Sequence, residues 1–239
     1  MMKIVEKQII IVCIIMLKKK PTKLNCGSNC GKKEKQMRED NNKELYTRFP
    51  KVILASRSET RNQMLNKYFE NVVTISHKVN EDKFKISQKN PEEVVLKIAK
   101  EKALSVVEDF REEMIIASDQ ILVCENKILS KPKTLEAAKE KLLFLKNKIH
   151  KLYSSVYVMY KQKFYFQKVK VASLFFANLS QREIESYIKA NKKTVLTTVG
   201  SYKIEENVKY KFIRIINGDI ETILGFPIKD LIEKIKNEE

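Results

Sequence analysis

Apolar positions along this chain fall into short blocks, some with the period of a strand and some with that of a helix. Lys51-Val-Ile-Leu-Ala-Ser56 reads as a buried strand entering a polar turn, and residues 58–69 continue as a short helix. Asn90-Pro91-Glu92-Glu93 is a helix start, with Asn as N-cap, Pro at the first position and acidic residues in the first turn. The pattern carries that helix to about Asp109. Met114 to Ala117 is a second apolar strand, expected to deliver Ser118-Asp119-Gln120 at its end. Ile121 to Val123 stays extended, and Glu125-Asn126-Lys127 turns the chain. Thr134 caps a helix to about Leu145, two β-rich segments follow at about 150–160 and 163–177, and Ser180-Gln-Arg-Glu183 is a capping box for a helix to Ala190. Strands are expected at about 195–204 and 208–216, then a hairpin turn at Asn217-Gly218-Asp219 and a closing helix from about Ile228. Strands alternating with helices, with hairpins in the second half, predict a mixed α/β sheet.

The first 50 residues read differently. Ile9 to Leu17 is a nine-residue apolar run followed by three lysines, too short to span a bilayer and with no small-residue cleavage site after it. Residues 18–48 are rich in Lys, Glu and Asn, which suits a disordered lead-in or a start codon assigned too far upstream. The domain is therefore expected to run from residue 51 to residue 239.

Charge changes the picture little. The net charge is +17, but the cations are mostly Lys dispersed among Ile and Asn, with no Trp and no basic stripe interleaved with aromatics. That pattern fits a solvated surface that attracts anions over long range better than a nucleic-acid interface. Cys26 and Cys30 lack a second pair of zinc ligands, the four cysteines form no disulfide framework, and a reducing cytoplasm is the expected setting.

Three places carry candidate chemistry. Asp119 follows an apolar strand and sits between polar residues, where a carboxylate can face a cleft, hold a cation or take a proton from water; a turn or capping role is the plainer reading. Ser56 to Arg61 places hydroxyls, an arginine and a helix N-terminus after a strand, an anion site if it is more than an N-cap at Ser58. Lys102 shares the helical stripe of Val95, Ile98, Ala99 and Val106, whereas Lys97, Lys100 and Glu101 face the other way. A lysine there needs an anionic partner or a route to water, and by the stripe alone a methionine would fit it without loss of stability. Lys131, before Pro132, and Glu81, in Val79-Asn80-Glu81, are unremarkable singly. No P-loop and no G-x-G-x-x-G is present.

Taken in order, these pieces resemble the Maf family of nucleotide pyrophosphatases. Leu54-Ala-Ser-Arg-Ser-Glu-Thr-Arg61 is similar to its L-A-S-x-S-P-x-R, Val79-Asn80-Glu81 to V-D-E, Leu96 to Ala103 to L-R-L-A-x-x-K-A, Ala117 to Gln120 to G-[AS]-D-[TQ], and Leu129 to Pro132 to L-x-K-P. Val199-Gly-Ser-Tyr202, Glu205, Asn217-Gly-Asp219 and Ile223 to Pro227 follow in register. Glu59, Thr60 and Asn80 depart from the pattern, and Asn80 removes an acidic group. The resemblance implies a mixed twisted sheet in two lobes with a central cleft, like the inosine-triphosphatase group. It further implies hydrolysis of nucleoside triphosphates to monophosphate and pyrophosphate with a divalent cation (Mg, Mn or Co). Glu81 and Asp119 would hold the metal, with Asp119 catalytic. Ser56, Arg61, Lys102 and Lys131 would meet the phosphates, and Thr60, Gln120 and Glu205 would choose the base. Asp-Gln with Glu205 is nearer the branch acting on 7-methyl-GTP. A homodimer stays open; specific nucleic-acid binding and stable membrane insertion are not expected. The competing reading is a nucleotide-sensing or division-regulating binding protein with little turnover.

Because the first 50 residues carry none of these motifs, a chain starting near Asn41 is expected to be folded and fully active. Thermal midpoint and pyrophosphate release of both chain lengths test this, and a large loss on truncation would contradict it.

Overall fold

The computed structural model describes residues 47–87 and 90–238. The apolar run at Ile9 to Leu17 and the Cys26/Cys30 pair lie outside the described residues. Among the described residues seven strands form a single sheet: β1 (Val52–Leu54), β2 (Val72–Thr74), β3 (Met114–Cys124), β4 (Lys127–Leu129), β5 (Lys148–Tyr160), β6 (Lys163–Phe176) and β7 (Ile213–Asn217). Their order is β2-β1-β3-β5-β6-β7, with β4 paired to the end of β3. β1 runs parallel to both β2 and β3, and every other pairing is antiparallel. The helices are α1 (Glu59–Leu65), α2 (Asp82–Ser87), α3 (Pro91–Leu104), α4 (Leu135–Leu145), α5 (Gln181–Ala190), α6 (Lys192–Thr197), the single turns α7 (Asn207–Tyr210) and α8 (Ile220–Ile223), and α9 (Lys229–Lys236). The fold is thus the mixed α/β sheet expected.

The helix starts follow the sequence signals. Ser58, Asn90, Thr134 and Ser180 each accept a backbone N–H of the first turn, and Ser180 with Glu183 completes a capping box. Both tight hairpins turn on two non-glycine residues with positive φ, Glu125-Asn126 between β3 and β4 and Lys161-Gln162 between β5 and β6.

β3 is the spine of the fold. It is buried along its length except at Gln120 and Val123, which are half-buried. β1 pairs only with Met114 to Ile116 and β4 only with Leu122 to Cys124, so in between β3 keeps a strand partner on the β5 side alone. Apolar packing is interrupted at the same place. On one face Leu54, Met114, Ile116, Val156 and Phe226 form one cluster and Leu122, Leu142, Leu174, Phe176 and Tyr202 another. On the other face Ala117 packs with Ala99 and Ala103, and Ile121 with Val95 and Ile98. Ser118, Asp119 and Gln120 lie between these clusters, opposite Val156, Ser155 and Ser154 of β5. Phe49, 2% exposed, packs edge-on against Phe69 and Tyr160, so the folded body takes in residues just before Lys51.

Three expectations are corrected. Asp119 does not end a strand; it sits in the middle of β3, and what ends beside it is β1. The segments at 195–204 and 208–216 are not two strands: the end of α6, a loop, a 3₁₀ turn at Ile204–Glu206 and α7 stand there up to Tyr210, and only Ile213–Asn217 is extended. The β-branched run there suits a strand, but Val195, Val199 and Ile204 are drawn onto the α4–α5 layer, and packing overrides propensity. Asn217-Gly218-Asp219 is not a hairpin turn, because the Asp219 carboxylate accepts the Thr222 N–H and starts α8.

Gly218 has φ +102, and a Cβ there would lie 2.6 Å from the Ala172 backbone. Gly218→Ala is expected to destabilise the protein by about 1–3 kcal/mol, the scale of a strained backbone plus overpacking. Denaturant unfolding measures this; an unchanged midpoint would mean that β6 and the turn move apart freely.

Candidate active site

The site is built around Lys102. Asn90 and Pro91 start α3 so that its apolar stripe faces β3, and this carries Lys102 inward to 3% exposure. Its ammonium donates to Asp119 Oδ1 at 2.7 Å and lies 2.7 Å from Glu81 Oε1. Asp119 is itself 4% exposed, and its second oxygen, Oδ2, is buried with no hydrogen-bond partner. Glu81 stands just before α2, its side chain 28% exposed. Burial would raise the Glu81 pKa, but the charge and hydrogen bond of Lys102, then Lys85 and Lys131, hold it down at about 2. Asn80 is exposed and accepts the Asp82 N–H, so its side chain serves the start of α2.

Arg61 ties three elements together. It projects from α1, is buried, and donates Nε to Gly225 O at 3.1 Å and Nη1 to Ser118 O at 2.7 Å and Ser56 Oγ at 3.3 Å. Burial lowers its pKa, against the pull of Asp119 and Glu81. The Ser56 hydroxyl also accepts the Ser58 N–H. Ser58 is the N-cap of the plainer reading, and the Arg61 donors brace the backbone beside Asp119. Lys131 stands exposed at the rim, yet the protein around it lowers its pKa, an effect Glu81 and Asp119 oppose.

Gln120, one residue on, points to the opposite face of β3. Its Nε2 donates to Thr222 O and Ile223 O, each at 3.0 Å, and to Ser154 Oγ at 3.1 Å. Gly225, at φ +84, lets the turn after α8 approach within contact of this amide. Here a pocket opens, lined by Thr60, Gln120, Leu152, Tyr202, Glu205 and Leu224 among others. Glu205 is half-buried and its pKa is raised, chiefly by burial. The charged cluster and this pocket therefore lie on opposite faces of β3 and share the stretch where that strand has lost its β1 neighbour. The carboxyl ends of parallel strands at such a switch are where α/β sheets take ligands.

A family model described as Maf-like protein matches residues 51–238. The chain belongs to the Maf family. It is 33% identical over 190 residues to the 7-methyl-GTP pyrophosphatase of Bartonella henselae, covering 79% of this chain and 96% of that one. It is 34% identical over 186 residues to the dTTP/UTP pyrophosphatase of Pyrococcus furiosus, covering 78% and 94%. The dTTP/UTP pyrophosphatase of Bacillus cytotoxicus is also 34% identical, over 191 residues, with 78% and 94% covered.

The structure of this Maf-family chain adds groups that the sequence patterns passed over. His77 sits beside Glu81, Nε2 to Oε1 3.6 Å, while its Nδ1 accepts the Val79 N–H at 3.3 Å. Burial, then the charge of Lys102, lowers its pKa to about 4, so the ring is neutral at pH 7 and presents Nε2–H to Glu81. Lys85 lies 3.7 Å from Glu81, and the Ser118 hydroxyl donates to Gly225 O. The i, i+4 spacings of His77 and Lys85 about Glu81 were the available signal, but no helical pattern covers residues 77–81. Among the described residues no group of three or more His, Cys, Asp or Glu is arranged to hold a metal. Glu81 and Asp119 are the two carboxylates at hand.

The carboxylates reverse the expectation that methionine fits position 102 without loss. Lys102→Met would leave Asp119 buried beside Glu81 with no cation between them, and breaking such a pair costs about 3 kcal/mol or more. Urea unfolding of the metal-free protein at neutral pH should show that loss, and wild-type stability would mean that both carboxylates escape to water.

Proposed function

We propose that this protein hydrolyses nucleoside triphosphates in the cytoplasm, releasing the nucleoside monophosphate and pyrophosphate. The observation that carries the reading is the Lys102-bridged pair of carboxylates at the unpaired stretch of β3, with a pocket on the other side of the same stretch. The names of the similar enzymes support it.

The donor set fits a hard divalent cation. Asp119 Oδ2 is a buried oxygen with no partner, and Glu81 adds a second carboxylate that is partly open to solvent. Mg²⁺ and its like are commonly held by one or two carboxylates, the remaining positions going to water and substrate phosphates. When bound, the cation supplies charge neutralisation and a more acidic water. The chain's own groups do the rest. Asp119 orients the attacking water and receives its proton. Lys102, Lys131 and Arg61 bring positive charge to the side where negative charge builds on the phosphates, with Ser56 as a further donor. Two carboxylates against Lys102, Arg61, Lys131 and Lys85 leave the site cationic, which suits a triphosphate.

The similar enzymes divide between 7-methyl-GTP and dTTP/UTP at nearly equal identity, so the base rests on the pocket. The two N–H groups of the Gln120 amide are shared among three acceptors, which leaves Oε1 as an acceptor, and Glu205 brings a carboxylate to the same pocket. Two acceptors suit a base edge rich in N–H donors, as guanine is, and Glu205 favours the positive charge that N7 methylation adds to it. Thr60 offers a third, small polar contact.

Asp119→Asn is expected to lower kcat by roughly 10²-fold or more with the fold retained, the scale of a lost acid–base group. Pyrophosphate release with Mn²⁺ across a panel of triphosphates that includes 7-methyl-GTP, dTTP and UTP measures this and ranks the bases. Near-wild-type turnover in the variant would remove Asp119 from the chemistry, and binding without turnover across the panel would favour a nucleotide sensor instead.

A further inference from the structure

Lys141 lies on α4, on the edge of the apolar stripe formed by Ala138, Leu142 and Leu145. Its ammonium has left that stripe's solvent side and donates to two backbone carbonyls that are remote from each other in the chain. One is Ser130 O, next to Lys131 in the loop between β4 and α4; the other is Val199 O, at 3.1 Å, in the wall of the pocket on the far side of β3. The two loops belong to different ends of the proposed substrate, Lys131 to the phosphates and the wall to the base.

Both loops need such support. Residues 130–133 carry no regular structure. The wall, Thr198 to Lys203, includes Ser201 at φ +58, and it is fastened from behind by Tyr202 against His150 Nε2 and, further on, by Glu206 against Tyr187 and Thr194. Those bonds fix the wall to β5 and to the α5–α6 layer and do not extend to the Ser130 loop. Lys141 reaches both. It does so at a cost, because among the described residues no carboxylate pairs with it, and burial, then the charge of Lys85, lowers its pKa to about 8. A methionine would follow the same stripe without that desolvation.

We propose that Lys141 is a positioning residue that straps the Ser130–Lys131 loop to the Val199–Tyr202 wall, fixing the reach from the base pocket to the phosphate-side lysine. The proposal rests on the nucleotide reading of the site. The strap acts through backbone carbonyls and touches no substrate atom, so its loss degrades alignment before it degrades the chemical step. It also predicts an unusual separation of effects, since the strap is held against the preference of its own surroundings for an uncharged side chain.

The test compares wild type with Lys141→Met and Lys141→Arg. In ligand-free protein, amide exchange should quicken in both the 130–133 and the 198–203 segments of Lys141→Met and stay near wild type elsewhere, with thermal stability at pH 7 equal or higher. With the triphosphate that wild type turns over fastest, KM should rise roughly ten-fold and kcat change less. Lys141→Arg, which keeps the donors, should restore both readouts to within about two-fold of wild type. Unchanged exchange in either segment would overturn the strap. So would faster exchange throughout the domain with a lower midpoint, which would make Lys141 a general stability element. Since exchange is read without nucleotide, a wild type that hydrolyses no triphosphate would defeat the pyrophosphatase reading while leaving the strap to stand or fall on the exchange data.

Discussion

The ammonium of Lys102 lies between two carboxylates, one of them almost wholly buried in the middle of a sheet. A lone Asp119 at 4% exposure would be untenable as an anion, since desolvating a carboxylate costs several kcal/mol that only a close countercharge returns. The rest of the central architecture supplies that countercharge and little else: α3 starts where it does, and turns its apolar stripe inward, so that position 102 arrives opposite position 119. Glu81 then prevents the pair from being a closed, neutral salt bridge. With two carboxylates on one ammonium, these three groups alone are net negative, an excess that Arg61, Lys131 and Lys85 around them outweigh, and Asp119 Oδ2 has no partner.

A sheet can tolerate this charge only where it has given up continuous packing. β3 does so by changing neighbours: β1 stops after pairing with Ile116 and β4 begins at Leu122. The apolar clusters end at the same boundary on both faces, and β5 meets it with Ser154 and Ser155, whose hydroxyls donate to Thr222 O and Val95 O. A polar belt therefore crosses the fold from one face to the other, and Arg61 closes it against backbone carbonyls of Ser118 and Gly225. A substrate with a flat base and a charged tail matches such a belt, because its two ends need opposite surroundings only a few residues apart.

Much of this was legible from residue patterns. The capping signals at Ser58, Asn90, Thr134 and Ser180 are local hydrogen-bond chemistry and hold wherever the segment packs. Lys102 was legible because a cation on an apolar stripe contradicts its surroundings. What failed was the reading of partners that come from afar. The stripe could not say that Lys102 meets two carboxylates, and so misjudged methionine; the apolar run at 114–117 could not say that β3 continues through Asp119 because β5 pairs with it to Val123. Residues 195–211 failed for the same reason, since Val195, Val199 and Ile204 pack with α4 and α5 rather than with a neighbouring strand. Asn217-Gly218-Asp219 carried two signals at once, a hairpin turn and a helix cap, and the cap to Thr222 won.

Lys141 shows how far the same reasoning extends. At 100° per residue from Ala138, Leu142 falls at about 40°, Leu145 at about 340° and Lys141 at about 300°, on the margin of the stripe. A lysine on the margin can snorkel, so periodicity raises no objection to it, unlike Lys102. Only the structure distinguishes the two, because Lys102 finds anions and Lys141 finds carbonyls. Carbonyl dipoles repay less of an ammonium's lost hydration than a carboxylate does, which is why burial lowers the Lys141 pKa to about 8. The charged form is thus held against the preference of its surroundings. What its position does accomplish is to hold two irregular loops at a set separation across the belt, and that separation is the dimension that a ligand spanning both faces of β3 would have to match.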